Sequence, residues 1–248
     1  MDLNIWHSLF LFTYPNQWAV KITRIKTPRT VLITGASSGI GAALARAYAA
    51  PGVHLFLTGR NNERLEAQAE LCREAGAEVT ARALDVTERG TTADWVADAD
   101  AQAPLDLVIA NAGTSAGTGS GAETPGQTRA IFATNLGGVL NTLEPAITRM
   151  RERGHGQLAV VSSLAGVRGF PGAPAYCGSK AAVRVWGEAM RGHLAPHGIG
   201  VSVICPGFVA SRMTAVNDFP MPMKLDADAA ARRIRRGLRR NKGRVSFP

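Results

Sequence analysis

Tyr176 and Lys180 stand four positions apart in Tyr176-Cys177-Gly178-Ser179-Lys180, and Ser163 precedes the tyrosine by thirteen positions, just after the apolar run Leu158-Ala159-Val160-Val161. If residues 175–194 are helical, the i, i+4 spacing places the phenol and the ammonium on one face. A free phenol titrates near about pH 10 and is a poor proton exchanger at neutrality unless a positive charge stabilises its anion. Lys180 supplies such a charge. A Ser163 hydroxyl at the end of a buried strand can hold the oxygen of a carbonyl or alcohol while Tyr176 gives or takes its proton. A Tyr/Lys pair on a solvated helix has the same spacing, so the elements around it decide.

Those elements begin at Thr30-Val31-Leu32-Ile33-Thr34, a short apolar strand that runs into Gly35-Ala36-Ser37-Ser38-Gly39-Ile40-Gly41 and then the helical run Ala42–Ala50. Glycines let a backbone turn tightly and approach a pyrophosphate, whose charge is met by free N–H groups and the helix dipole. The spacing Gly-x-x-x-Gly-x-Gly differs from the commoner Gly-x-Gly-x-x-Gly fingerprint. Further strand-like runs at Val53–Thr58, Val79–Ala83, Leu105–Ala110, Leu158–Ser162, Gly200–Cys205 and Arg244–Phe247 alternate with helical stretches at Arg64–Ala75, Thr91–Ala101, Thr128–Arg153, Ala175–Leu194 and Asp226–Arg240. This alternation predicts an α/β fold: a Rossmann-like, doubly wound, mostly parallel seven-stranded sheet with helices on both faces. Ligands of such sheets bind at the carboxyl ends of the strands, where Gly35, Asn111, Ser163 and Pro206 emerge.

Taken together, these residues resemble the short-chain dehydrogenase/reductase family from about Arg29 to the C-terminus. Thr34 to Gly41 is similar to that family's cofactor loop, with Gly35, Ser37, Ser38, Gly39, Ile40 and Gly41 as implied contacts. Asn111-Ala112-Gly113 matches its motif after the fourth strand, and Ser163, Tyr176 and Lys180 match its catalytic set. Asn135 falls where the family carries an asparagine that holds a water in the proton relay. Asp85 and Val86 match the positions beside the adenine. Pro206, Gly207, Val209 and Ser211 resemble the segment beside the nicotinamide, with Ser211 where threonine is usual. The resemblance also implies that Tyr176 and Lys180 contact the cofactor ribose. It implies a homodimer or homotetramer built on the helices Thr128–Arg153 and Ala175–Leu194.

The end of the second strand, Leu57-Thr58-Gly59-Arg60, bears on the choice of dinucleotide. An acid there would pair with the ribose hydroxyls of NAD, whereas an arginine can fork onto the 2′-phosphate of NADP. Gly59 takes the acid's place and Arg60 follows, which points to NADP(H), although Arg60 also reads as a solvated charge before a helix. The expected activity is hydride transfer between NADPH and a small carbonyl or alcohol substrate, with Tyr176 as general acid/base. An apolar stretch, Met213 to Met223, and a Gly/Ser/Thr-rich stretch, Thr114 to Gly126, lie on the same side and name no substrate. Two other readings stand beside this one: a catalytically idle NADP(H)-binding sensor, and a basic peripheral membrane-binding protein on the same scaffold.

The chain has 248 residues, 46% of them hydrophobic, enough to bury one large core, and a net charge of +9. The sequence divides into an N-terminal extension, 1–28, apolar then basic, and one dinucleotide-binding and catalytic domain, 29–248. Charge sits at the ends: residues 224–244 carry a net of +7 and residues 1–30 a net of +3, leaving the remainder nearly neutral. In the last helix Ala227, Ala230, Ile234 and Leu238 form an apolar stripe amid Arg232, Arg233, Arg235, Arg236, Arg239 and Arg240, either a solvated face or a patch for anionic membrane; nucleic acid is the less favoured partner. Ile5 to Phe12 is apolar but far shorter than the roughly twenty residues that span a bilayer. Asp2 replaces the basic leader of a secretory signal. Cys72, Cys177 and Cys205 show no metal spacing and fit a reducing cytoplasm, with peripheral membrane association as the variant; no metal site is expected.

Overall fold

The computed structural model describes residues 27–116 and 123–248, so the apolar stretch Ile5–Phe12 and part of the Thr114–Gly126 loop lie outside the described residues. Seven strands, β1 Thr30–Thr34, β2 His54–Gly59, β3 Glu78–Ala83, β4 Leu107–Ala110, β5 Gly156–Val161, β6 Ile199–Pro206 and β7 Arg244–Phe247, form one sheet in the order β3-β2-β1-β4-β5-β6-β7. Every pairing is parallel, so the expected sheet is fully rather than mostly parallel. The strand order reverses between β1 and β4, which opens a crevice at their carboxyl ends.

Period-two alternation sends side chains to two separate cores. Val31 and Ile33 of β1, Leu55 and Leu57 of β2, and Leu107 and Ile109 of β4 pack on one face. That face is covered by α1 Gly39–Tyr48, α2 Asn62–Glu74 and the last helix, α8 Ala227–Arg239. Leu32, Phe56, Val108, Leu158 and Val160 point the other way, toward α3 Arg89–Gln102, α5 Gly138–Arg153 and α6 Pro174–Leu194. Each of these large apolar side chains contributes on the order of 1.5–3 kcal/mol by leaving water. Among the described residues no helix is long and apolar enough to cross a membrane.

Three boundaries differ from expectation for local reasons. The first helix begins at Gly39, inside the glycine loop rather than after it, because Ser38 is extended and acts as its N-cap. The long helix expected over Thr128–Arg153 starts earlier, at α4 Pro125–Phe132, where Thr124 and Gln127 form a reciprocal capping box. It is then interrupted by one π-helical turn, Ala133–Gly137, before α5 resumes. Ser162, expected as the last residue of the fifth strand, lies just beyond it. Between β6 and α8 a short helix, α7 Arg212–Ala215, follows Ser211, whose hydroxyl accepts from the Thr214 N–H.

The apolar stripe of α8 is wider than expected: Ala231 and Gly237 join Ala230, Ile234 and Leu238 in the core, while Ala227 is only half-buried. Arg232, Arg233, Arg236, Arg239 and Arg240 face solvent. Arg235 instead folds back, donating to the Ala47 carbonyl at 2.7 Å and lying over the Tyr48 ring.

Candidate functional site

The carboxyl ends of β1, β2, β4, β5 and β6 surround a cleft of about 750 Å3. Its lining includes Gly35, Ser37, Ser38, Gly39 and Ile40 from the first turn, Arg60 from the second, Asp85 and Val86 from the third, and Asn111, Ala112 and Gly113 from the fourth. Ser163, Tyr176 and Lys180 enter from the fifth strand and α6; Pro206, Gly207, Val209 and Ser211 enter after the sixth. The expected site residues therefore share one crevice, with two exceptions, Gly41 and Asn135, which sit behind it.

Gly35 turns the chain out of β1 with φ 68°, a left-handed conformation that disfavours a side chain. Gly41 does not border the cleft, contrary to its expected contact role. A Cβ there would collide with the Gly35 carbonyl oxygen and the Asn111 side-chain amide, so its function is close approach of helix to loop. Asn111 closes the same knot: its Nδ2 donates to the Thr34 carbonyl at 2.9 Å, while its backbone N–H donates to Thr34 Oγ1 at 3.1 Å. The Ser38 hydroxyl makes no capping bond, and the first turn of α1 holds no acidic residue. Unpaired amides and an uncapped positive helix end fit an anionic pyrophosphate.

At the far end of the cleft, Arg60 is 67% exposed and its Nη1 stands 3.8 Å from Asp85 Oδ2. Asp85 also accepts from the Thr87 N–H and hydroxyl, at 3.0 and 2.9 Å, in a local turn. It does not cap α3, whose N-cap is Glu88. Arg64 lines the same end and was missed in the sequence; the signal was a second arginine four positions after Arg60, in the first turn of α2. Gly59 has a packing reason as well as an electrostatic one, since a Cβ there would lie 2.9 Å from Ser37 Oγ.

The end of the cleft around Tyr176 is built from the turn after β5 and from α6. Ser163 is 8% exposed; its Oγ donates to the Pro206 carbonyl at 3.4 Å and accepts from the Ala165 N–H at 3.1 Å. Lys180 is buried and donates from Nζ to the Val161 carbonyl at 2.9 Å, which leaves two of its three N–H donors for the cleft. Burial lowers its pKa to about 8, an effect that the thiol of Cys205 partly opposes. Tyr176 borders the cleft, and Lys180 Nζ sits 5.9 Å from its ring centre.

The expected acidification of the phenol is not what this arrangement produces. Desolvation raises the Tyr176 pKa above its ordinary value, with hydrogen bonding by Ser163 opposing the rise and Cys177 adding slightly to it. The ammonium is aimed at a backbone carbonyl rather than bonded to the phenol oxygen, so burial wins. Tyr176 thus stays protonated through neutral pH, the form a proton donor needs.

Asn135 is fully buried in the π-helical turn. Its Oδ1 accepts from the Thr114 N–H at 2.7 Å, and its Nδ2 donates to the Thr114 carbonyl at 2.9 Å and to Ser179 Oγ at 3.0 Å. Both Nδ2 hydrogens are used, so its side chain has no donor left for the relay water expected there. The described residues contain no cluster of His, Cys, Asp or Glu suited to a metal.

A family model described as short chain dehydrogenase matches residues 29–219. The chain belongs to the short-chain dehydrogenase family. An uncharacterized oxidoreductase of Myxococcus xanthus is 42% identical over 89% of this chain and 87% of its own length. A ketoacyl reductase of Nostoc sp. is 33% identical over 74% of this chain and 64% of its own length. Among solved structures, a short-chain dehydrogenase from Sphingobium yanoikuyae in complex with NADPH superposes with a TM-score of 0.80 at 26% identity, covering 88% of this chain and 87% of that one. As a short-chain dehydrogenase the protein is an oxidoreductase, of a family that acts on small molecules.

Proposed function

We propose that this short-chain dehydrogenase reduces an apolar carbonyl compound with NADPH, and that Tyr176 is the proton donor. The observation that carries the reading is the layout of one cleft: a neutral phenol, a serine hydroxyl and a buried ammonium at one end, and Arg60 with Arg64 at the other, where no acid occupies position 59. The NADPH complex of the Sphingobium yanoikuyae relative supports the choice of dinucleotide.

When bound, the reduced dinucleotide supplies hydride to the carbonyl carbon. The Ser163 hydroxyl hydrogen-bonds the substrate oxygen and orients it toward Tyr176 Oη. Negative charge develops on that oxygen as the carbonyl is reduced, and the phenol neutralises it by proton transfer. Lys180, charged below about pH 8, stabilises the phenolate left behind and offers its remaining N–H donors to the ribose. Arg60 and Arg64 would hold the 2′-phosphate, and the α1 amides would hold the pyrophosphate. Met213, about a third exposed, and Val216, largely exposed, line the cleft and give the substrate an apolar wall. The Nostoc ketoacyl reductase supports including acyl thioesters among the carbonyls tested.

The test is NADPH oxidation against a panel of aldehydes, ketones and acyl thioesters. Turnover should appear with at least one class, and Tyr176→Phe should abolish it while NADPH affinity stays within about twofold. Tight binding without turnover across the panel would overturn the catalytic reading in favour of a sensor.

A further inference from the structure

The helix that carries Tyr176 and Lys180 cannot cap itself. Ala173 precedes α6 and has no side-chain acceptor, and Pro174 has no N–H to offer. The first intrahelical bond runs from the Cys177 N–H to the Ala173 carbonyl at 2.9 Å, which leaves the amides of Ala175 and Tyr176 without partners inside the helix. Both are met by one residue from a distant segment. Glu123 Oε2 accepts from the Ala175 N–H at 2.5 Å, and Glu123 Oε1 accepts from the Tyr176 N–H at 3.2 Å across 53 residues of sequence.

Other caps in the molecule are local: Asn61 for α2, Thr124 for α4, Ser211 for α7 and Asp226 for α8 each accept from the helix they precede. Glu123 makes no ion pair with a basic side chain among the described residues, so its charge is directed at the positive end of α6 alone. The carboxylate is bonded directly to the backbone of the proton donor, one residue inside the first turn.

We propose that Glu123 is a positioning residue for Tyr176: its carboxylate caps α6 from outside and sets the place of the phenol relative to the Ser163 hydroxyl. This rests on Tyr176 being the proton donor. Asn135 complements it from the opposite side, since it bonds Thr114 and Ser179 and so ties the body of α6 to the π-helical turn. Without Glu123 the first turn has two unpaired amides and frays, and a displacement of about 1 Å in a reacting group lowers turnover by up to about a hundredfold.

The experiment compares Glu123→Ala and Glu123→Gln with Asp226→Ala, which removes an analogous cap from α8 at a residue that does not line the cleft. Three quantities are measured: kcat for NADPH-dependent carbonyl reduction, Kd for NADPH, and hydrogen-exchange protection of the Ala175 and Tyr176 amides. Glu123→Ala should lower kcat about tenfold, leave Kd within about twofold and strip protection from both amides. Glu123→Gln keeps one acceptor oxygen for one of the two amides and turns an NH2 donor toward the other, so it should recover kcat only in part. Asp226→Ala should leave kcat and the protection of the Ala175 and Tyr176 amides unchanged. Unchanged kcat in Glu123→Ala, retained protection, or an equal loss of kcat in Asp226→Ala would overturn the proposal. If the wild-type protein reduces no carbonyl, yet Glu123→Ala strips the amides, the cap is real and the proton-donor reading is the one that fails.

Discussion

Removing the Arg60 guanidinium should separate NADPH from NADH. The side chain is 67% exposed, with its Nη1 3.8 Å from Asp85 Oδ2. A charge-assisted hydrogen bond is worth about 1.5–3 kcal/mol, and solvent around so exposed a group selects the lower end. About 1.5 kcal/mol corresponds to roughly a tenfold change in Kd. Arg60→Ala should therefore weaken NADPH about tenfold and alter NADH by less than twofold, since NADH lacks the 2′-phosphate proposed to meet the arginine. Arg64 lines the same end of the cleft and retains part of the selectivity, so the double variant should lose more than either single one, without strict additivity because both cations share one phosphate. The assay is titration of nicotinamide fluorescence at two ionic strengths, and the NADPH preference of the wild type should shrink at high salt as the exposed charges are screened. Equal weakening of both dinucleotides, or a preference indifferent to Arg60 and Arg64 together, would refute the phosphate assignment.

Reductive turnover should fall as pH rises through about 8, because Lys180 loses the charge that stabilises the Tyr176 anion; a rate that is flat to pH 10 would contradict this. Stability should move the opposite way. The lowered Lys180 pKa means that below pH 8 the folded state bears the full cost of a buried charge, whereas between about 8 and 10.5 only the unfolded chain stays protonated, so this group adds up to about 3 kcal/mol as pH rises across that window, readable by denaturant titration. Gly41→Ala should destabilise the fold by about 1–3 kcal/mol and weaken every dinucleotide alike, because the new methyl meets the Gly35 carbonyl and the Asn111 amide; calorimetry and NADH binding report both effects.

Much of this protein was legible from its residues because its signals are local and mutually consistent. Apolar runs of four to eight residues bounded by turns marked all seven strands, and the alternation with helices implied a parallel sheet. Chain order and spacing were also enough to bring Gly35, Asn111, Ser163 and Pro206 to one edge, since βαβ connections send every strand the same way. The resemblance to the short-chain dehydrogenases added roles to those positions and rested on the same short motifs.

Tertiary structure decided what depends on partners far apart in the chain. The sign of the Tyr176 shift is one case: four-residue spacing put a cation near the phenol, but the fold half-buries the tyrosine and turns Lys180 Nζ toward the Val161 carbonyl, so desolvation prevails. Asn135 is another, its side chain consumed by Thr114 and Ser179, 21 and 44 positions away. Gly41 and Glu123 complete the set, for one serves packing and the other caps a helix that begins fifty residues later. Periodicity and turn chemistry are properties of neighbours along the chain, and sequence carries them directly; desolvation, donor saturation and capping at a distance are fixed only when the sheet brings separate segments into contact.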